Sequence, residues 1–154
     1  MVETTLSGAS HHILTNDYAS EWMGIEVLKL DDGHATIRMH LRQEMLNGFG
    51  MAHGGMIFAF GDTAFALACN PANPTPKQAA NITVASGVDI NFIKPAFQGQ
   101  VITAVANRRA STGRSGLYDI QIYAAAPDAD SAPDAEHGEL IAEFRGRSRT
   151  ISKK

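Results

Sequence analysis

One charged side chain, Asp62, interrupts the run Gly54 to Cys69, whose other members are apolar or small. If the run is helical, Phe58, Phe65 and Ala66 lie on adjoining turns around the carboxyl. A lone carboxylate in such company costs several kcal/mol unless it is paired, hydrogen-bonded or used. Asp62 is therefore either a framework residue capping a neighbouring element or a general base or nucleophile. The residues just upstream favour the second reading. In Asn47-Gly48-Phe49-Gly50-Met51-Ala52-His53-Gly54-Gly55, two glycines open the helix. Their N–H groups are uncovered by side chains at the positive end of a helix and can hold a developing oxyanion. His53 braces this turn, touches a substrate, or does both. A base plus an oxyanion cradle is equipment for attack on an activated carbonyl. Gly54 and Asp62 are eight positions apart, about 12 Å along a helix axis, too far for one helix to present both to one carbon. Two antiparallel helices across a two-fold axis would bring them together.

The run itself is too evenly hydrophobic for a surface helix with one wet face, so it must be covered on most sides. Candidate covers lie on both sides of it. Gly24 to Leu30 and His34 to Leu41, divided by Asp31-Asp32-Gly33, read as a hairpin. Arg42 to Met51 reads as a loop with sharp turns. Pro71, Pro74 and Pro76 end the helix and stiffen the connector. Ile82 to Ile93, Gln100 to Ala110, Leu117 to Ala125 and Leu140 to Ile151 read as strands rich in β-branched residues. In an N-terminal helical segment, 1–22, residues 10 to 22 predict one short amphipathic helix capped by Ser10 and stopped by Gly24. Residues 127–138, rich in Ala, Asp and Pro, read as a solvated loop. The expected fold is α+β, a long central helix wrapped on three sides by a curved antiparallel sheet of about six strands. A partner subunit is expected on the fourth side, making an obligate dimer.

At 154 residues and 16.5 kDa the chain has the size of a single domain, 1–154. Its 13 basic against 16 acidic residues give a formal charge of −3, so no basic field points to nucleic acid or to an anionic membrane. The apolar run, interrupted by Asp62, falls short of a membrane span. The single Cys69 and the lack of a basic, apolar leader predict a cytoplasmic address. No metal is expected: His11, His12, His34, His40 and His137 show no ligand spacing, and the one cysteine lies on the helix interior.

The run Met45 to Asn70, MLNGFGMAHGGMIFAFGDTAFALACN, resembles the signature of the hotdog-fold acyl-CoA thioesterases, and most closely the PaaI-type phenylacetate-degradation thioesterase family. The resemblance continues through VDINFIKPAFQGQ (Val88 to Gln100), GRSGLYDIQIY (Gly113 to Tyr123) and IAEFRGRSRTI (Ile141 to Ile151). It implies a hotdog fold, a homodimer that often pairs again into a homotetramer, and hydrolysis of an acyl- or aryl-acyl-CoA thioester without metal or organic cofactor. Position by position, it makes Asp62 the catalytic carboxylate, Gly54 N–H the carbonyl polariser beside Gly55, and Asn47 and His53 polar groups that position substrate. A supporting hydroxyl on the strand after the helix is either Thr83 or Ser86.

Coenzyme A carries three phosphate groups, which a few local cations can meet. Arg108, Arg109 and Arg114 flank the turn Ser111 to Gly116, which includes Ser115, and Lys94 ends the preceding strand. Arg145, Arg147 and Arg149 alternate along the last strand and share a face. Two other functions fit the same residues: a hotdog acyl-CoA hydratase or dehydratase, which needs a second acid or base near Asp62, and a non-catalytic acyl-CoA binding module, which would pair Asp62 with a cation.

Overall fold

The protein is described by a computed structural model over residues 10–127 and 137–153. Its strands are β1 (Glu26–Asp31), β2 (His34–His40), β3 (Asn81–Phe92), β4 (Val101–Thr112), β5 (Ser115–Ala125) and β6 (Glu139–Ser152). They form one sheet in the order β1-β2-β4-β5-β6-β3, with every pair antiparallel. Two-residue turns at Asp32-Gly33 and Gly113-Arg114 close the β1–β2 and β4–β5 hairpins. Gly33 and Gly113, at φ 70° and 56°, supply the left-handed backbone such turns require. Register shifts at Val27/Lys29, Ala85/Gly87, Arg108/Ala110 and Ile122/Tyr123 add the local bends that curl a sheet.

The curl encloses helix α2 (Gly54–Cys69), which touches all six strands. Ile57, Phe60, Ala64, Phe65, Leu67 and Ala68 are buried against the sheet. Two glycines set the closeness of the approach. A Cβ on Gly61 would lie 2.9 Å from the Phe144 ring and 3.1 Å from Ile122, and one on Gly146 would lie 2.7 Å from the Phe65 ring. Gly55, Phe58 and Asp62 are exposed, at spacings of three and four residues, so they form one stripe along the helix. The expected cover on three sides is present, and the fourth side is open. Asp62 thus lies on the open face of the chain, not within a sealed interior.

The N-terminal segment departs from the expected single helix. A 3₁₀ turn at His12–Leu14 is followed by α1 (Tyr18–Met23), whose cap is Asp17 rather than Ser10. Gly24 does end the helix, in the left-handed conformation. Tertiary contacts decide the break: His11 is buried and hydrogen-bonds through Nε2 to the Asn70 carbonyl at the far end of α2, 2.9 Å away. Residues 1–9 of the N-terminal segment and 128–136 of the expected solvated loop lie outside the described residues. The proline connector also holds a short helix α3 (Pro76–Ala79), with a capping box between Thr75 and Gln78. Among the described residues no helix is long and apolar enough to cross a membrane.

Because Gly61 has no space for a side chain, Gly61→Val should destabilise the fold by about 1–3 kcal/mol through overpacking. Urea unfolding measures this, and a variant as stable as the parent would show that helix and sheet can part there.

Candidate active site

The loop before α2 is held by main-chain hydrogen bonds, within itself and to the segment between β3 and β4. Asn47 N–H donates to the Met51 carbonyl at 2.7 Å, Ala52 N–H to Ala96 at 2.8 Å and His53 N–H to Met45 at 2.8 Å. The Asn47 side chain holds it from inside: its Oδ1 accepts from Phe49 N–H at 2.9 Å and Met51 N–H at 3.2 Å. That leaves the Asn47 amide hydrogens without a partner among the described residues. His53 is the N-cap of α2, and its Nδ1 accepts from Gly55 N–H at 3.3 Å. The neutral ring therefore carries its proton on Nε2. With Gly55 satisfied in this way, Gly54 N–H at the helix tip has no acceptor among the described residues.

Gly54 borders an apolar groove of about 320 Å³ lined by Met51, Ile57, Phe92, Ile93 and Ile141. The Phe92 ring crosses directly over it, 3.3 Å from where a Cβ would stand. Phe92 was not legible as a site residue, because nothing in its own strand pattern indicates a contact with a glycine 38 positions earlier. Lys94 lies at the rim, paired with Glu139 at 2.8 Å.

Asp62 is two turns into α2, and among the described residues it has no ion-pair partner. Desolvation by its apolar neighbours, and after it the negative charge of Asp17 on the facing segment, push its carboxyl above the usual carboxylate range. The Cys69 thiol, pushed up to about 12 chiefly by burial, is not a competing nucleophile at neutral pH. Among the described residues no group of three or more His, Cys, Asp or Glu converges to hold a metal ion.

The other predicted positions are dispersed. Thr83 is tied to Asn70 by two hydrogen bonds of 3.0 Å and its hydroxyl meets that of Thr150, so it lies at the far end of α2. Ser86 lies in the Ala85/Gly87 bulge, its hydroxyl donating to the Arg147 carbonyl at 3.1 Å. Gly116 is crowded by Ser148 and Tyr118, which accounts for the missing side chain through packing. Ser115 begins β5 opposite Arg149. Arg108, within β4, makes a two-point contact with Asp32, at 2.9 and 3.3 Å, tying that strand to the β1–β2 turn. Arg109 and Arg145 share Asp119, at 3.4 and 2.7 Å. Arg114, Arg147 and Arg149 have no ion-pair partner among the described residues.

A family profile described as the thioesterase superfamily matches residues 49–129, from the loop before α2 through β5. The chain belongs to the thioesterase superfamily. Among curated members, the acyl-coenzyme A thioesterase PaaI of Escherichia coli (strain K12) is 34% identical over 142 residues, 92% of this chain and 89% of that protein. The solved structure of the E. coli PaaI protein from the phenylacetic acid degradation operon superposes with a TM-score of 0.76 at 33% identity, covering 93% of this chain and 91% of that one. The TT0310 protein of Thermus thermophilus does so with a TM-score of 0.71 at 28% identity, covering 87% and 97%. The hotdog fold expected from the resemblance is the fold observed, and the chain is a thioester hydrolase of this superfamily.

The two readings of His53, brace and substrate contact, now separate. His53→Ala should cost about 1 kcal/mol of stability as a lost cap, whereas His53→Asn, a good cap, should retain it. If His53 only braces the turn, the Asn variant keeps the thioesterase rate as well. A stable Asn variant with a depressed rate would assign substrate contact.

Proposed function

We propose that this thioesterase hydrolyses the thioester of acyl- or aryl-acyl-CoA, phenylacetyl-CoA-like substrates included, to the free acid and CoA. The observation that carries the reading is the pairing on one helix of an unsatisfied Gly54 N–H beside an apolar groove with an unpaired Asp62 carboxyl on the open face. Gly54 N–H would polarise the thioester carbonyl with the positive end of α2 behind it. Asp62 would activate water or attack the carbonyl carbon. Among the described residues, the Asn47 amide and His53 Nε2–H are further free donors on the same loop. Hydrolysis of this kind needs no metal or organic cofactor.

Both groups belong to α2, eight positions apart, so each site is proposed to take Gly54 and Asn47 from one chain and Asp62 from a second. Two features support a second copy as the cover. The exposed stripe of α2 carries Phe58, and β3 is a free edge of 12 residues with Ile82, Val84 and Phe92 exposed beside it. A long apolar edge left open is a pairing hazard that a homodimer would remove, and a dimer of dimers would follow as a homotetramer. Thr83 is clipped to Asn70, about 12 Å past Asp62 along the helix axis. Three strand residues, about 10 Å, carry β3 back from Thr83 to Ser86. Ser86 is therefore the hydroxyl nearer the level of Asp62. For the phosphates of CoA, the unpaired Arg114, Arg147 and Arg149 are better placed than Arg108, Arg109 and Lys94, whose charges already meet carboxylates. A chain with one cysteine suits a cytoplasmic, reducing setting.

Asp62→Asn should fold and bind acyl-CoA but lose more than about a hundredfold in rate. Free CoA released in a thiol assay reads hydrolysis, and its absence in the parent would favour a binding module. Appearance of 3-hydroxyacyl-CoA from crotonyl-CoA would favour a hydratase. Exchange of subunits between inactive Asp62→Ala and Asn47→Ala chains should restore about a quarter of the parental rate, since about half the dimers are mixed and half their sites intact. No recovery despite proven exchange would place each site within one chain. Arg114→Ala should raise KM for full acyl-CoA while leaving short thioesters without the nucleotide unaffected; equal effects on both would remove Arg114 from coenzyme binding.

A further inference from the structure

The N-terminal segment brings a second carboxylate to Asp62 by a defined route. His11, buried, fastens the segment to the end of α2: its Nδ1 accepts from Ile13 N–H and its Nε2–H donates to the Asn70 carbonyl. Asn16, at φ 65°, is the only non-glycine with positive φ among the described residues, and it turns the chain so that Asp17 begins α1. Asp17 is then held at both oxygens by one residue. Oδ1 accepts from Ser20 N–H at 3.0 Å and Oδ2 from the Ser20 hydroxyl at 2.7 Å. Ser20 is 1% exposed, and its oxygen lies 2.8 Å from the hydroxyl of Thr63, the residue next to Asp62.

The direction of these hydrogen bonds is determined. An ionised Asp17 only accepts, so the single hydroxyl proton of Ser20 goes to it, and Thr63 must donate to Ser20. The chain Thr63 to Ser20 to Asp17 thus ends on a fixed anion and ties the helix turn that carries Asp62 to α1.

We propose that Asp17, clamped by Ser20 and Thr63, is a positioning residue for Asp62, a fixed anion that fastens its helical turn and faces its carboxyl across the α1–α2 contact. This rests on the reading of Asp62 as the group that activates water or attacks the carbonyl. Repulsion between the two acids makes the Asp62 carboxylate a stronger proton acceptor than a lone surface aspartate. Cys69, on α2 itself, feels the Asp62 charge and is held a neutral thiol at neutral pH, so it adds no charge of its own. Asp17 need not touch substrate.

The test is Asp17→Asn in the full chain. Asn is an equally good helix cap, so α1 should persist, with an unchanged melting temperature as the control. Carbon-13 NMR of aspartate carboxyls follows Asp62 itself, its signal recognised by its loss in Asp62→Asn. Removing the neighbouring negative charge should move the Asp62 midpoint to lower pH by about 0.5. The acid limb of kcat/KM should move with it. Ser20→Ala, which keeps the charge but releases the clamp, should give a smaller displacement in the same direction and serves if the Asn variant folds poorly. An unmoved Asp62 midpoint in a folded Asp17→Asn protein overturns the proposal. A midpoint that falls while the rate profile stays in place supports the contact with Asp17 and instead overturns Asp62 as the group controlling the rate.

Discussion

The contact between α2 and the concave side of the sheet governs the rest of this molecule. At Gly61 the helix presents bare backbone to Phe144 and Ile122, and at Gly146 the sheet presents bare backbone to Phe65. Two flat contacts of this kind leave no freedom for the helix to rotate about its axis. Rotation is what would decide which residues face outward, so the exposed stripe Gly55, Phe58 and Asp62 follows from packing on the opposite side. The position of Gly54 N–H is fixed by the same contact, with the loop from Asn47 to His53 completing the tip.

Local chemistry made much of this legible in the sequence. The Asp31-Asp32-Gly33 turn, the glycines opening α2 and the β-branched runs each carry their conformation in their own residues. Expected strand ends agree with the observed ones to within two residues or so for that reason. What was not legible depends on distant partners. Ser10 and Asp17 are comparable caps on intrinsic grounds, and the choice between them was made by the His11 bond to Asn70, 59 positions away. Helix α3 did have a local signal, the Thr75 to Gln78 capping box, but it is only four residues long. At the candidate site, Asn47, His53, Gly54 and Asp62 were identifiable because their chemistry stands out against apolar neighbours. The arginines were not separable, since only cross-strand register reveals that Asp119 engages Arg109 and Arg145 while Arg147 and Arg149 have no such acid among the described residues.

Electrostatics divides the molecule into two kinds of carboxylate. Asp32 and Asp119 accept hydrogen bonds from arginines and are held below the ordinary range, a stabilising and chemically quiet arrangement. Asp62 has no cation among the described residues and is held above it. Arg108, Arg109 and Arg145 thus direct their charge to Asp32 and Asp119, and none of them pairs with Asp62.

The bond from His11 to the end of α2 also sets an order of dismantling in acid. Burial keeps the folded pKa of His11 below its ordinary 6.5, so its hold on the helix is complete above that pH. As pH falls below it, the detached segment takes up a proton that the docked one refuses, and the attachment weakens. The Arg108–Asp32 and Arg145–Asp119 pairs have the same sign but a lower threshold: their carboxyls sit below an ordinary 3.8, and their contribution is complete until the pH falls through that value. Between these two thresholds lies a range in which the N-terminal strap loosens over a sheet whose outer ion pairs still hold.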